Sequence, residues 1–340
     1  MRLNEITVKQ LQKAISTLDN KTDPRIIQKI ADLISLARGE DPSKTTTQYK
    51  GVTGALKKIP DDDIQKYYKH MAYMMSGNDL TADEIKKIVV GINTNKLIDI
   101  KQLKAVSSNL AKIIPMYNDS KQVRNYFKSM LMYQPGQRIG PGEILFATHH
   151  KDLTKPQKGD LRIISSQEDI EVKGGATEGR FRDNDLMPQG GTYENLAIKF
   201  LNKYKGKIQS VGSGSTMAHV VAGMEANPKI AKTIASDAAK VCQALFPKSP
   251  HVKKLQQALL QGDAQKALYY HGLGNLTQYF ASKPKEGILF LRANTKPPQT
   301  NYANSLKELM KVATVQVSSA YPIAAKTQEA FPKIGAIPKS

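Results

Sequence analysis

Three charged residues in the segment KGDLRIISSQEDIEVKGG have the types and spacing to bind a divalent metal ion. Asp160 begins one strand-like run, whereas Glu171 and Lys173 lie in the next. Because successive side chains of a strand alternate between its faces, Glu171 and Lys173 share one face and Val172 points to the core. The intervening residues are enough for one strand, a turn and a return. We therefore predict a hairpin that places Asp160 beside Glu171.

Two carboxylates in one site repel each other, and a divalent cation is the usual remedy. Mg²⁺ suits such a pair because it is commonly held by one or two carboxylates together with water and phosphate oxygens. A metal held in this way lowers the pKa of bound water and neutralises charge that develops during phosphodiester hydrolysis. The ammonium of Lys173 would orient the attacking water or stabilise the transition state. The alternative interpretation of the segment is a solvated charged hairpin.

The same residues resemble a known family. Gly159-Asp160, a short strand and then Glu171-Val172-Lys173 are similar to the motif of the PD-(D/E)xK nuclease superfamily, whose fold is shared by restriction endonucleases and related phage enzymes. Members often carry a further glutamate on a helix before the first strand, and Glu143 in GPGEILFATHH holds that place. The series looks especially like nuclease-like proteins of tailed phages. The resemblance covers about residues 136–182. Gly159 stands where the family motif usually has a proline before its first acid.

The resemblance implies a catalytic set and a cofactor. Asp160 and Glu171 would be ligands of Mg²⁺, for which Mn²⁺ would substitute, Lys173 would be the catalytic lysine and Glu143 an accessory acid. A carboxylate stabilised by the dipole at a helix start is the alternative for Glu143. The implied function is a metal-dependent, phage-encoded deoxyribonuclease, with DNA, virion proteins or a second copy of the chain as partners. The alternatives are a virion structural or interaction protein that retains the fold, and a non-catalytic DNA-binding protein.

Other acid-x-lysine triplets occur in the chain but lack the context of a strand. Glu84-Ile85-Lys86 and Asp99-Ile100-Lys101 lie in segments with helical spacing, where residues two apart do not share a face. Neither triplet follows an acid at the start of a strand. The hairpin segment is therefore the better candidate.

Basic residues beyond the hairpin are candidates for binding the nucleic-acid backbone. Arg180 and Arg182 follow the lysine strand, and Lys199 and Lys203 lie on a predicted helix. An exposed strand face and an ordinary solvated helix face are the respective alternatives. The adjacent histidines His149 and His150 point apart on a helix and cannot bind one metal at the i, i+4 spacing, so a surface or core role is favoured for them. The single cysteine, Cys242, lies in an apolar helical stretch, which favours an inert core thiol.

The elements that would position these residues form a mixed α+β chain. Residues 1–133 have helical periodicity, apart from a polar connection at 39–59, and predict an all-helical N-terminal domain. The predicted helices include one that begins at Thr81 with a capping box to Glu84, and one over about 99–113. Residues 134–340 predict a restriction-endonuclease-like α/β domain with a mixed central sheet. Its strands are predicted at 161–164, 170–172, 288–291 and 315–317, and a helical insertion at about 192–281 separates the second from the third.

Composition indicates a polyanionic partner and no membrane. The 340 residues carry a formal charge of +20, and the excess is spread over both halves of the chain. Such a field raises the local concentration of polyanions, although a lysine-rich solvated surface has the same composition. No apolar run approaches the length of a membrane span, and the first residues lack a signal core. We expect a location in the host cytoplasm or the virion, neither exported by a signal peptide nor embedded in a membrane.

Overall fold

The computed structural model divides by contacts into two units. Unit 1 comprises Met1–Gly174 and Leu291–Thr300, and unit 2 comprises Gly175–Phe290 and Asn301–Ser340. The predicted domain boundary after residue 133 falls inside unit 1, and it stays a prediction because it concerns independently folding domains. The structure describes residues 71, 74, 75, 77–134, 139–156, 159–175, 179–182, 187, 188, 191–210, 214–283, 286–319 and 321–339.

Within the described part of unit 1, five α-helices with defined bounds precede the hairpin. They are α1 (Ala82–Asn93), α2 (Ile100–Leu103), α3 (Leu110–Ile113), α4 (Lys121–Met132) and α5 (Glu143–His149). The predicted capping box at the start of α1 is confirmed, because Thr81 accepts a hydrogen bond from the amide of Glu84 and the Glu84 side chain bonds back. Residues 1–70 lie outside the described residues, so the all-helical prediction remains untested there.

The predicted single helix over about 99–113 is wrong. The strand β1 (Ser108–Asn109) separates α2 from α3 and pairs antiparallel with residues 299 and 300. Asp99 caps α2, and the Asn109 side chain accepts a hydrogen bond from the Lys112 amide at 3.0 Å to begin α3. Two side-chain caps and a short sheet pairing thus replace continuous helical hydrogen bonds.

A mixed six-stranded sheet confirms the α+β class. Its strand order is β1-β8-β7-β4-β3-β2. The other members are β2 (Leu153–Thr154), β3 (Leu161–Ile163), β4 (Glu168–Gly175), β7 (Glu286–Arg292) and β8 (Gln299–Ala303). The strands β4 and β7 include the runs predicted at 170–172 and 288–291, and β3 covers the run predicted at 161–164 except for Ile164. The fourth predicted run, 315–317, lies in a smaller sheet.

The helical excursion predicted at about 192–281 is confirmed in unit 2. It holds α6 (Thr192–Lys203), α7 (Met217–Ala226), α8 (Ala231–Leu245), α9 (Val252–Leu260) and α10 (Ala264–Ser282), with β6 (Ser215–Thr216) before α7. Their apolar faces form a continuous core that includes Cys242, whose burial was predicted. Burial raises the pKa of the Cys242 thiol, which favours the inert neutral form.

The tail of the chain contains strands that periodicity did not predict. The three-stranded sheet has the order β5-β11-β9, formed by β5 (Gly179–Arg180), β9 (Ala313–Val317) and β11 (Lys333–Pro338). The strand β10 (Pro322–Ala324) pairs with β6, and the short helices α11 (Leu306–Val312) and α12 (Thr327–Ala330) lie between these strands. Prolines begin β10 and end β11, where missing amide donors are tolerated. Among the described helices, none has the length and apolarity to cross a bilayer.

Candidate functional site

The hairpin of β3 and β4 carries the predicted acid–lysine motif. Leu161 pairs with Ile170, and Ile163 pairs with Glu168, in an antiparallel register. Extending that register by one residue sets Asp160 across from Glu171. A turn over residues 164–167 closes the hairpin. The predicted hairpin is therefore confirmed, and its register brings the two acids together.

Alternation along β4 separates a buried face from a charged one. Ile170 and Val172 are buried, while Glu171 and Lys173 point to the other face, as predicted from the strand period. The Lys173 ammonium donates a hydrogen bond to Oε1 of Glu171. Each of these two side chains is only 15% exposed, so the pair is largely removed from water. This face of β4 therefore carries a mostly buried ion pair, whereas the alternative interpretation predicts a solvated face.

Asp160 is held across the hairpin by the backbone of β4. Its Oδ2 accepts a hydrogen bond from the amide of Val172 at 2.8 Å. Burial, together with the negative charges of Glu171 and Glu143, raises the pKa of Asp160 to about 7. The ammonium of Lys173 and the Val172 amide act in the opposite direction. Glu171 and Glu143 therefore lie close enough to Asp160 to disfavour its charged form.

Glu143 begins α5 and is buried, which distinguishes it from a surface helix-start acid. Its side chain is 3% exposed. Oε1 accepts a hydrogen bond from the amide of Gly140 at 2.5 Å, and Oε2 accepts one from the Lys155 ammonium at 2.6 Å. Burial raises the pKa of Glu143, the contacts with Lys155 and Gly140 lower it, and the charge of Glu171 raises it. The structure thus joins Glu143 to the hairpin acids.

Glycines around the acids allow this close approach. A Cβ at residue 140 would meet Oε1 of Glu143 at 2.9 Å, and one at residue 174 would meet Cγ of Pro141 at 3.1 Å. Gly142, the N-cap of α5, has a φ of 83°, in the left-handed region that favours glycine. The glycines flanking both motifs therefore let the turn before α5 pack against the end of β4.

Lys155 is a member of the cluster that sequence reasoning missed. It lies in the loop between β2 and β3, and its ammonium also donates to the carbonyl of Gly159 at 3.3 Å. The side chain is 16% exposed. No periodicity identifies a loop lysine of this kind. The available signal was its position in TKPQKGD, a few residues before the first acid of the motif.

The donor set fits a hard divalent cation through its acid pair. Among the described residues, no three His, Cys, Asp or Glu side chains form a group with the geometry of a metal site. Mg²⁺ does not require three, because it is often held by one or two carboxylates with water and substrate oxygens completing the shell. The negative charges of Glu171 and Glu143 disfavour ionisation of Asp160, and a divalent ion bound between the acids would offset this repulsion.

Comparison with known proteins gives no relative for this chain. No family model, no curated protein and no solved structure matches it significantly.

Histidine side chains of α5 and its end do not join the acids. His149 is buried against Tyr126, whose hydroxyl lies 2.7 Å from Nε2, and its Nδ1 lies 2.9 Å from the carbonyl of Leu145. Burial lowers the pKa of His149 to about 3, so the ring is neutral. Nδ1 of His150 accepts a hydrogen bond from the Asp152 amide. A role for His149 in the core, one of the predicted possibilities, accounts for all its contacts.

The four predicted nucleic-acid-binding residues all lie in unit 2. The Arg180 guanidinium lies 4.5 Å from the centroid of the Tyr321 ring, and its Nε donates to the Tyr321 hydroxyl at 2.9 Å. Arg182 and Lys199 are exposed. The Lys203 ammonium pairs with Oδ2 of Asp237 at 2.6 Å. Arg180 lies in β5, Arg182 follows that strand, and Lys199 and Lys203 lie on α6, whereas the four catalytic candidates lie in unit 1.

Proposed function

We propose that this chain is a metal-dependent nuclease of the PD-(D/E)xK type, with a restriction-endonuclease-like core, that hydrolyses phosphodiester bonds of DNA. The observation that carries the proposal is the register of the β3–β4 hairpin. It sets Asp160 across from Glu171 and leaves Lys173 on the same face as Glu171. The proposed phage origin follows from the motif resemblance alone.

Each residue of the cluster has a role that its surroundings support. Asp160 and Glu171 would hold Mg²⁺ or Mn²⁺, and the bound ion would supply an acidified water and neutralise developing negative charge. Lys173 contributes a positive charge on the metal-binding face, where it would orient the water or stabilise the pentavalent phosphorus. Glu143 would be an accessory acid, and its carboxyl group accepts hydrogen bonds from Lys155 and the amide of Gly140.

The test is cleavage of DNA by the purified full chain. Supercoiled plasmid, linear duplex, single-stranded DNA and RNA are incubated with Mg²⁺ or Mn²⁺, and with chelator as the blank. We expect metal-dependent scission of DNA that disappears in Asp160→Ala and in Lys173→Ala. Asp169→Asn is the matched control, because Asp169 lies in the same hairpin but pairs with Arg162 at the exposed turn end. Absence of cleavage with either metal, or equal cleavage by the Asp160→Ala variant, would reject the proposal.

The cations of unit 2 favour one second candidate, a DNA-binding protein without turnover. Residues 191–283 contain twelve lysines and four acidic residues, and several of these lysines are exposed. Backbone contacts from such residues would give affinity that falls steeply with salt. Titration with Mn²⁺ separates the candidates, because an intact acid pair binds the ion and a DNA-binding surface alone does not. The same cations would hold the substrate if the chain is a nuclease.

A further inference from the structure

Lys155 makes two contacts that join different elements of unit 1. Its ammonium lies 2.6 Å from Oε2 of Glu143 and 3.3 Å from the carbonyl oxygen of Gly159. Gly159 directly precedes Asp160 in the chain. One side chain therefore links the accessory acid at the start of α5 to the loop that delivers the first acid of the hairpin.

The residue before Asp160 has an unusual backbone conformation. Gly159 has a φ of 96°, in the left-handed region that glycine adopts readily. The side chain of Asp160 is fixed by a hydrogen bond to the β4 backbone, whereas the preceding carbonyl is fixed by Lys155. Loss of the ammonium would free the carbonyl and leave the buried Glu143 carboxylate without its ion pair.

We propose that Lys155 is a positioning residue that ties Glu143 to the Asp160 loop and thereby fixes the arrangement of the three acids around the metal. This inference rests on the proposed nuclease function. It assigns Lys155 no contact with the reacting atoms. Its effect passes through Glu143 and the backbone of Gly159.

If Lys155 acted only as a counter-ion, its removal would change metal affinity in the direction opposite to that expected for a positioning residue. A positive charge near the acids repels a divalent cation, so removal of a mere counter-ion would tighten binding of Mn²⁺. Removal of a positioning residue would weaken it, because outer partners of metal ligands typically account for about tenfold to a hundredfold in affinity or activity. The sign of the change in Mn²⁺ affinity therefore distinguishes the two roles.

The experiment compares Lys155→Met with the wild-type chain and with Lys155→Arg. Mn²⁺ affinity is measured by calorimetric titration without DNA, and kcat and KM are measured separately on duplex DNA. We expect Lys155→Met to bind Mn²⁺ about tenfold more weakly and to lose about tenfold in kcat, with KM nearly unchanged. Lys155→Arg, which keeps a donor for both acceptors, recovers most of the affinity.

Lys104→Met is the matched control. Lys104 also pairs with a glutamate of the hairpin, Glu168, but at the turn end and with both side chains about a third exposed. It should change neither Mn²⁺ affinity nor kcat. If Lys155→Met tightens Mn²⁺ binding or leaves both affinity and kcat unchanged, the positioning role is rejected.

A second variant keeps the test valid if Lys155→Met does not fold. The double variant Lys155→Met/Glu143→Gln removes the unpaired buried charge and is compared with Glu143→Gln alone. The proposal predicts weaker Mn²⁺ binding in the double variant, because the tie to Gly159 is still lost, whereas equal or tighter binding rejects it. A wild-type chain that binds no Mn²⁺ and cuts no DNA instead rejects the proposed function, so the two failures are distinguishable.

Discussion

The charges of the two units are used in different ways. In the unit 1 cluster, Lys155 and Lys173 each pair with a glutamate, and all four side chains are at most 16% exposed. In unit 2, Lys203 is 54% exposed although it pairs with Asp237. Removing ions from water is costly unless partners and backbone compensate, whereas exposed pairs cost and contribute little. The fold therefore bears a desolvation cost to keep the charges of the unit 1 cluster in place, and bears little such cost for the Lys203–Asp237 pair.

The contrast also separates two meanings of the net charge of +20. Residues 191–283 of unit 2 have an excess of eight positive charges, mostly at exposed positions, which suits attraction of a polyanion at long range. The unit 1 cluster has three acids against two lysines, so with all three acids ionised it carries a net negative charge where a metal is proposed. Capture and chemistry would thus use opposite local charge within one chain.

The largest expected difference between the units is in catalysis. Lys173→Met should lower the rate of metal-dependent DNA cleavage by roughly a hundredfold to a thousandfold, because it removes a charge positioned at the reacting phosphate. Lys203→Met should leave kcat unchanged. Single-turnover cleavage at saturating Mg²⁺ measures both. Equal rates for the two variants would remove the distinction between a catalytic cluster and a binding surface.

Stability should show the next largest difference. Lys155→Met leaves the buried Glu143 carboxylate without its ion pair, and loss of one partner of a buried pair costs about 3 kcal/mol. Lys203→Met breaks an exposed pair and should change the free energy of unfolding far less than Lys155→Met does. Guanidinium unfolding of each variant, with Asp237→Asn as a check on the second pair, measures the contrast. A cost for Lys203→Met as large as that for Lys155→Met would contradict it.

A pH effect is expected from Asp160. Its pKa of about 7 lies above the ordinary value of 3.8, because burial and the neighbouring acids disfavour the charged form. Between about pH 4 and pH 7 the folded chain binds a proton that the unfolded chain has lost, so the free energy of unfolding falls as pH rises through this window. Asp160→Asn removes this contribution and should gain stability relative to wild type over the same window.

Urea unfolding of both proteins at several pH values measures the effect. A difference that stays constant from pH 4 to pH 8 would show that Asp160 ionises normally. Addition of Mn²⁺ at pH 8 provides a second readout, because a ligand that binds only the folded state stabilises it. The ion should raise the unfolding midpoint of the wild-type chain and leave that of Asp160→Asn unchanged.

The hairpin could be predicted from sequence because its information is local. A period of two fixes the face that Glu171 and Lys173 share, and the spacing to Asp160 fixes the pairing partner. The approach of Glu143 to the hairpin could be predicted only from the family resemblance, because Glu143 lies on a separate element, a helix that precedes the hairpin in the chain. Lys155 could not be predicted, because a loop side chain that reaches another element leaves no period in the sequence.

The same limit explains the errors in the fold. The strand β1 is two residues long and exists because residues 299 and 300 pair with it, which helical periodicity in its own segment concealed. The strand β11 likewise depends on pairing with β9, for example Ile334 with Val317. Short strands are determined by distant partners, so local propensity does not locate them.

The smallest expected effect concerns DNA capture by unit 2. Lys199 is exposed, and none of the described residues forms an ion pair with it, whereas the charge of Lys203 is offset by Asp237. A lysine that neutralises a DNA phosphate contributes about 0.9 to the slope of log affinity against log salt. Lys199→Gln should therefore reduce the slope for duplex DNA by about one, and Lys203→Gln by clearly less.

Binding titrations over a range of salt concentrations, in chelator so that no cleavage occurs, measure the two slopes. Asp237→Asn adds a reciprocal check, because it releases Lys203 from its partner and should bring the effect of Lys203→Gln up to that of Lys199→Gln. If all three substitutions leave the slope unchanged, this face of α6 is only a solvated surface, and the cations that capture DNA lie elsewhere in the chain. A slope that falls equally for Lys199→Gln and Lys203→Gln would instead mean that DNA displaces Asp237 from Lys203.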